Sequence, residues 1–198
     1  LVFVAAQEDG VHALDAQTGE EQWAYPTEWG ILAPAVLDDT VFVAIENWGA
    51  SGRLAIVAFD AATGGQRWSV STGTGSPGPP IAAGEAVYVG IDHMAGHPYA
   101  GLLALDAATG EERWFFVTDG GVRSPAAVGE GSVAVSNGIC REPVYDWFLI
   151  CEQGWVASVY GLDAATGDYQ WLLKLDDPVY APMRSIGDLV YVQDGADI

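Results

Sequence analysis

Apolar runs of three to five residues recur along the chain, separated by turn residues, and no stretch of ten or more carries the 3.6-residue spacing of a helix face. One kind is Val-rich: Thr40-Val-Phe-Val-Ala44, Ala86-Val-Tyr-Val-Gly90, Ser132-Val-Ala-Val-Ser136 and Leu189-Val-Tyr-Val192. β-branched and aromatic residues at that density predict strands. A second kind, His12-Ala-Leu14, Ile56-Val-Ala-Phe59, Leu102-Leu-Ala-Leu105 and Val159-Tyr-Gly-Leu162, runs directly into Asp15, Asp60, Asp106 and Asp163. Each aspartate opens Asp-Ala-x-Thr-Gly, and a tryptophan follows eight residues after it, at Trp23, Trp68, Trp114 and Trp171. The pattern reads as strand, turn, strand. The aspartate and threonine side chains accept hydrogen bonds from backbone N–H groups two or three residues on, while Gly19, Gly64, Gly110 and Gly167 supply a positive φ without steric cost.

The four aspartates lie 45, 46 and 57 residues apart. A period near 45 matches a propeller blade of four short antiparallel strands better than the 20–35-residue units of other solenoids. A proline eleven residues after each tryptophan (Pro34, Pro79, Pro125, Pro182) heads the next strand, where no ladder donor is lost. One blade therefore reads as a Pro-headed strand, a Val-rich strand, a strand ending in Asp, the Thr-Gly turn, and a strand with Trp. The expected fold is all-β: a single propeller segment over residues 1–198 with about four blades, the repeats centred on 15–23, 60–68, 106–114 and 163–171.

The Ala/Gly-Leu/Phe-Asp-Ala-x-Thr-Gly-x-x-x-Trp repeat resembles the pyrroloquinoline-quinone-like (PQQ-like) β-propeller family, across nearly the whole chain. The resemblance implies that Trp23, Trp68, Trp114 and Trp171 dock one blade onto the next, in a ring of seven or eight blades. It also implies two kinds of relative: the quinoprotein alcohol dehydrogenases, and the non-catalytic propeller lipoprotein of the outer-membrane barrel-assembly machinery. The chain opens on Leu1, at what would be the second strand of a blade, and its last strand is again a second strand. Closing it on itself leaves two strands for one place, so about half a ring is expected, completed by more chain or another subunit. An open arc exposes apolar blade faces, tryptophans included.

Charge narrows the partners. Sixteen Asp and eleven Glu face six Arg and the single Lys174, a formal net charge of −20. That excludes nucleic acid and anionic membrane surfaces as natural partners. It suits solvation, a high-salt milieu, or a basic protein partner. No run of about 20 apolar residues exists to span a membrane.

The interval between the third and fourth aspartates is longer than the others, and the excess falls on an insertion loop over 138–155 that holds both cysteines, Cys140 and Cys151. A disulfide between them is expected, which places the protein in an oxidising compartment, periplasmic or extracellular. The loop also carries Tyr145, Trp147, Phe148, Leu149 and Ile150, the best candidates for a partner contact. Other residues offer less. His12 in a strand reads as structural. Trp29 and Trp48 sit beside glycines in loops. Asp92, His93 and His97 lie close in sequence, but Gly96 and Pro98 argue against a helix that would set them on one face for a metal. Ser71-Thr-Gly-Thr-Gly-Ser-Pro-Gly-Pro-Pro80 lacks the Gly-Lys-Ser/Thr ending of a phosphate loop and reads as a crossover. No nucleophile–base or acid–base constellation is visible. The resulting expectation is an exported, non-catalytic scaffold that binds other protein subunits and holds no cofactor. The alternative is a fragment of a quinoprotein dehydrogenase with PQQ and Ca²⁺, whose adjacent Cys-Cys pair this chain lacks.

Overall fold

The computed structural model describes residues 1–7, 9–46, 53–74, 76–92, 100–122, 124–140, 143–145, 148–151, 155–177, 179, 182–187 and 189–193. All strand pairing in it is antiparallel, and the strands form successive blade sheets along the chain. The first blade holds β1 (Val2–Ala6), β2 (Gly10–Leu14) and β3 (Glu21–Tyr25), in that order. The second has β4 (Gly30–Ile31) and β5 (Ala35–Leu37), both paired to β6 (Thr40–Glu46), followed by β7 (Arg53–Asp60) and β8 (Gln66–Thr74). The third repeats this with β9 (Ser76–Pro77), β10 (Ile81–Ala83), β11 (Ala86–Asp92), β12 (Ala100–Asp106) and β13 (Glu112–Thr118). The fourth contains β14 (Ala127–Val128), β15 (Ser132–Cys140), β18 (Trp155–Asp163) and β19 (Tyr169–Leu175), with a separate hairpin, β16 (Pro143–Tyr145) and β17 (Phe148–Cys151), inserted between β15 and β18. The last sheet holds β20 (Arg184–Ile186) and β21 (Leu189–Tyr191).

The prolines act one step away from where the sequence pattern puts them. In the second and third blades the inner strand is broken into two pieces around Pro34 and around Pro79-Pro80, and pairing resumes only at Ala35 and Ile81. Proline has no N–H for the ladder, so the strand restarts just after it.

The Val-rich strands are apolar throughout because they are covered on both faces. In β6, Val41, Val43 and Ile45 pack toward the first blade with Val11, Val57 and Phe59. Phe42 and Ala44 of the same strand pack toward the third blade with Ile56, Val87, Val89 and Leu103. Alternate residues of a strand point to opposite faces, so a sheet sandwiched between two others needs apolar residues at every position. The third and fourth blades meet in the same way around Tyr88, Leu102, Val133, Val135 and Leu162. The layer between the fourth and last blades is thinner, built on Ala127, Ala134, Val159 and Met183.

Every ladder into a Trp strand contains the same irregularity. Ala13, Ala58, Ala104 and Gly161 pair with Trp23, Trp68, Trp114 and Trp171, while the next residue of each partner strand pairs with Glu21, Gln66, Glu112 and Tyr169. Gln22, Arg67, Arg113 and Gln170 are therefore bulge residues, left over in the count. A bulge re-aims the side chain it leaves over.

Candidate functional site

Strand connections divide the arc into two faces. The Thr-Gly turns and the short turns after β5, β10 and β14 lie on one face; the crossovers between blades and the long loops lie on the other.

On the turn face the four Asp-Ala-x-Thr-Gly segments share one hydrogen-bond pattern. The Asp15 Oδ1 accepts the N–H groups of Gln17 and Thr18, both at 2.8 Å. The same oxygen of Asp60 accepts from Ala62 and Thr63, that of Asp106 from Ala108 and Thr109, and that of Asp163 from Ala165 and Thr166, at 2.9–3.1 Å. Hydrogen bonds to the charged form favour it. Accordingly, the backbone N–H of Thr18, Thr109 and Thr166 holds the Asp15, Asp106 and Asp163 carboxyls below their ordinary value.

The bulge brings an arginine to two of these turns. Arg67 Nη2 lies 2.7 Å from both Asp39 Oδ2 and Asp60 Oδ2, and its Nη1 donates to Thr40 Oγ1 at 2.6 Å. The Arg67 hydrogen bond, followed by those of Thr63, lowers Asp60 to about 2. Arg113 repeats the arrangement, with Nη2 3.0 Å from Glu85 Oε2 and 3.0 Å from Asp106 Oδ2. Each arginine thus ties the turn after the inner strand to the Thr-Gly turn of its own blade. A groove of about 370 Å³ opens between the second and third blades, with Phe42 and Ala107 at its apolar side and Asp38, Asp39, Arg67 and Glu85 around it.

The first three blades each meet the next through a tryptophan. Trp23 Nε1 donates to the Ala61 carbonyl at 2.9 Å, Trp68 to Ala107 at 3.1 Å and Trp114 to Ala164 at 3.2 Å. The rings rest on the turn glycines so closely that a Cβ on Gly64, Gly110 or Gly167 would lie 2.6–2.8 Å from the indole. Within their own blades the rings tilt against Phe3, Phe42 and Tyr88. Trp171 differs. Its ring lies over Gly161 of its own sheet, and it is 40% exposed, against 9% for Trp68 and Trp114.

On the opposite face a polar network pins the crossover between the third and fourth blades. Asp119 Oδ1 accepts from the Tyr160 hydroxyl and, at 2.5 Å, from Asn137 Nδ2, whose Oδ1 in turn accepts the Ser158 N–H at 2.9 Å. Burial, with Asp119 beside it, pushes the Tyr160 hydroxyl up to about 12. Three residues beyond Asn137 the ladder ends at the Cys140–Trp155 pair, and the chain enters the β16–β17 hairpin. The insertion expected at 138–155 is thus partly a hairpin, β16–β17, that forms its own two-stranded sheet. Trp48, His93, His97 and Trp147 fall outside the described residues, as do the side chains of Cys140, Tyr145, Phe148 and Cys151.

His12 sits between two carboxylates, Nδ1 2.8 Å from Glu21 Oε2 and Nε2 3.4 Å from Asp9 Oδ2, and joins strand to turn within the first blade. Trp29 is exposed on the crossover between the first and second blades. Among the described residues no three His, Cys, Asp or Glu side chains converge as ligands for a cation such as calcium, and no helix is long and apolar enough to cross a membrane.

Residues 1–115 and, in a second overlapping match, residues 50–197 fit the model of the family described as outer membrane protein assembly factor BamB. The chain belongs to the BamB family. Solved structures place the BamB-family fold beside two other groups. BamB from Moraxella catarrhalis superposes with a TM-score of 0.60 at 19% identity, over 98% of this chain and 54% of that one. Quinohemoprotein alcohol dehydrogenase from Comamonas testosteroni gives 0.68 at 21% identity, over 91% of this chain and 35% of that one. The computationally designed Ika8 protein gives 0.71 at 15%, over 97% of this chain and 52% of that one. The chain thus spans about half the length of the M. catarrhalis BamB or less of such neighbours, and at these identities the likeness is one of fold. A comparison with curated proteins gives no match.

The arginine clamps and the Asp119 network went unread in the sequence. An arginine seven residues after Asp60 and after Asp106, but not after Asp15 or Asp163, was the available signal for the clamps. Nothing in the spacing of Asp119, Asn137 and Tyr160 announces their meeting.

Proposed function

We propose that this chain is part of an exported, non-catalytic propeller scaffold that docks other protein subunits through its loop face. The observation that carries the reading is the match of both halves of the chain to a family described as an outer membrane protein assembly factor. The internal chemistry supports it. The repeated aspartates, Arg67 and Arg113, and Trp23, Trp68 and Trp114 are engaged in turns and blade joints, which leaves the loops and the inserted hairpin for a partner. Tyr145, Trp147 and Phe148 of the insertion are the proposed contact residues. The net charge of −20 favours a basic partner, whose approach it steers over roughly 8 Å at physiological salt.

A Cys140–Cys151 disulfide closes the hairpin in this reading and belongs with a periplasmic or extracellular location. Peptide mapping of the protein isolated without reductant should find the two cysteines in one linked peptide pair. Free thiols at both positions would remove the support for export.

Native mass spectrometry of the protein from its own source tests the function. Recovery in a multi-protein assembly without a quinone is the expected result. A solitary chain carrying pyrroloquinoline quinone and calcium would overturn the scaffold and make the protein a dehydrogenase.

A further inference from the structure

Two neighbouring blade joints repeat each other except at one atom. At the joint of the third and fourth blades the Ala164 carbonyl accepts two donors, the Tyr88 hydroxyl at 3.1 Å and Trp114 Nε1 at 3.2 Å. At the joint of the second and third blades the Ala107 carbonyl accepts Trp68 Nε1 at 3.1 Å, and Phe42 of β6 stands where Tyr88 stands in β11. The two rings are set alike, their centroids 5.7 Å from that of Trp68 and 5.8 Å from that of Trp114. What the phenol oxygen fills in one joint is left open in the other, and there the groove of about 370 Å³ reaches both Phe42 and Ala107. A carbonyl oxygen has a second lone pair for a donor arriving in that space.

The walls of the groove select the donor's charge. Four carboxylates, Asp38, Asp39, Glu85 and Asp106, line it against one guanidinium, Arg67. Arg67 holds Asp39, and Arg113 holds Glu85 and Asp106. Asp38 is in no ion pair among the described residues. It also has a φ of 51°, the left-handed conformation that glycine takes at the same place in the other two-residue turns, 61° at Gly84 and 57° at Gly187.

We propose that this groove seats a lysine side chain of a basic partner protein, its ammonium donating to the Ala107 carbonyl where the tyrosine hydroxyl is missing and lying between Asp38 and Glu85. The ammonium is a compact charge with three donors, so it fits the place of one hydroxyl and satisfies the flanking carboxylates. Its apolar stem has Leu37 and Ala108 to lie against. A volume near the lower end of ligand pockets admits a single side chain rather than a folded surface. The site lies on the turn face and does not rest on docking at the loops.

The test is an NMR titration of the isotope-labelled full-length protein with the peptide acetyl-Gly-Gly-Lys-Gly-Gly-amide at about 0.15 M salt, where distant charges are screened. The amide signals of Gly84, Ala107 and Ala108 should shift and saturate, and the same peptide with its lysine ε-acetylated should leave them in place. Phe42→Tyr keeps the charge of the groove but supplies the hydroxyl, as Tyr88 does, and should weaken binding by about tenfold or more. Asp38→Gly restores the residue that suits this turn and leaves both arginine clamps intact. It should still fold and weaken binding by about two- to five-fold, the loss of one exposed charge pair. A partner held only at the loops would leave these three amides unmoved. Absence of saturable shifts at the groove, equal shifts with the acetylated peptide, or binding undiminished in both variants would overturn the proposal.

Discussion

Asp60 accepts two backbone N–H groups, the Thr63 hydroxyl and an arginine, and its titration reports on all of them. The carboxyl moves from its ordinary 3.8 to about 2, so the folded state holds the charged form more strongly than the unfolded chain does. Stability from this group is complete above about pH 4 and is lost as the pH falls through 2. In urea unfolding followed from pH 5 to pH 2, Asp60→Asn should flatten the fall in midpoint relative to the unaltered protein; equal slopes would show that the clamp does not contribute. The turn glycines allow a second separation at this scale. Gly110 and Gly131 share a φ of 76°, but only Gly110 has a tryptophan ring, that of Trp68, within 3 Å of a would-be Cβ. Alanine at either position pays about 1–2 kcal/mol for its left-handed backbone. At Gly110 crowding of the ring should add about 1–3 kcal/mol. Equal losses at the two positions would show that the ring can step aside. The glycines were legible in the sequence because a single local rule, positive φ in a tight turn, demands them. The arginine partners were not, because a bulge in a ladder decides where Arg67 and Arg113 point.

Among the elements, the Trp strands and the turns they meet determine how blades are held. Trp114 is buried, donates to Ala164 and lies against Gly167 and Tyr88, so its truncation empties space on both sides of the joint. Trp114→Ala should cost about 3–5 kcal/mol in denaturant unfolding of the intact protein. A loss below about 1 kcal/mol would mean that the joint does not depend on the ring. Strand existence and blade order were legible from the Val-rich runs, the terminal aspartates and the 45-residue period. The inner strands were less so, since breakage around Pro34 and Pro79-Pro80 depends on which neighbour each residue pairs with. The insertion was legible only as surplus length between Asp106 and Asp163; that part of it forms β16–β17 follows from pairing of its two arms.

Over the whole molecule the layers between blades are unequal. Three are built from large buried side chains such as Phe59, Phe42 and Tyr88, while the layer at the last sheet rests on Ala127, Ala134, Val159 and Met183. Exposed apolar side chains occur both at the two ends, as at Val2, Val4, Trp171 and Leu173, and between them, at Trp29, Val36 and Val117. Backbone amides of β6 and β11, whose residues are all buried in these layers, should therefore exchange hydrogen more slowly than those of the outer strand β13, which is partly exposed. Equal protection of the three strands would contradict this.

The sequence by itself determined the class, the repeat and the turn chemistry, because each rests on interactions between residues within a few positions of one another: the aspartate and its N–H donors, the glycine and its φ, the alternation along a strand. Tertiary structure decided what lies far apart in the chain. Trp23 finds Ala61 and Tyr160 finds Asp119, because such contacts depend on how complete sheets stack.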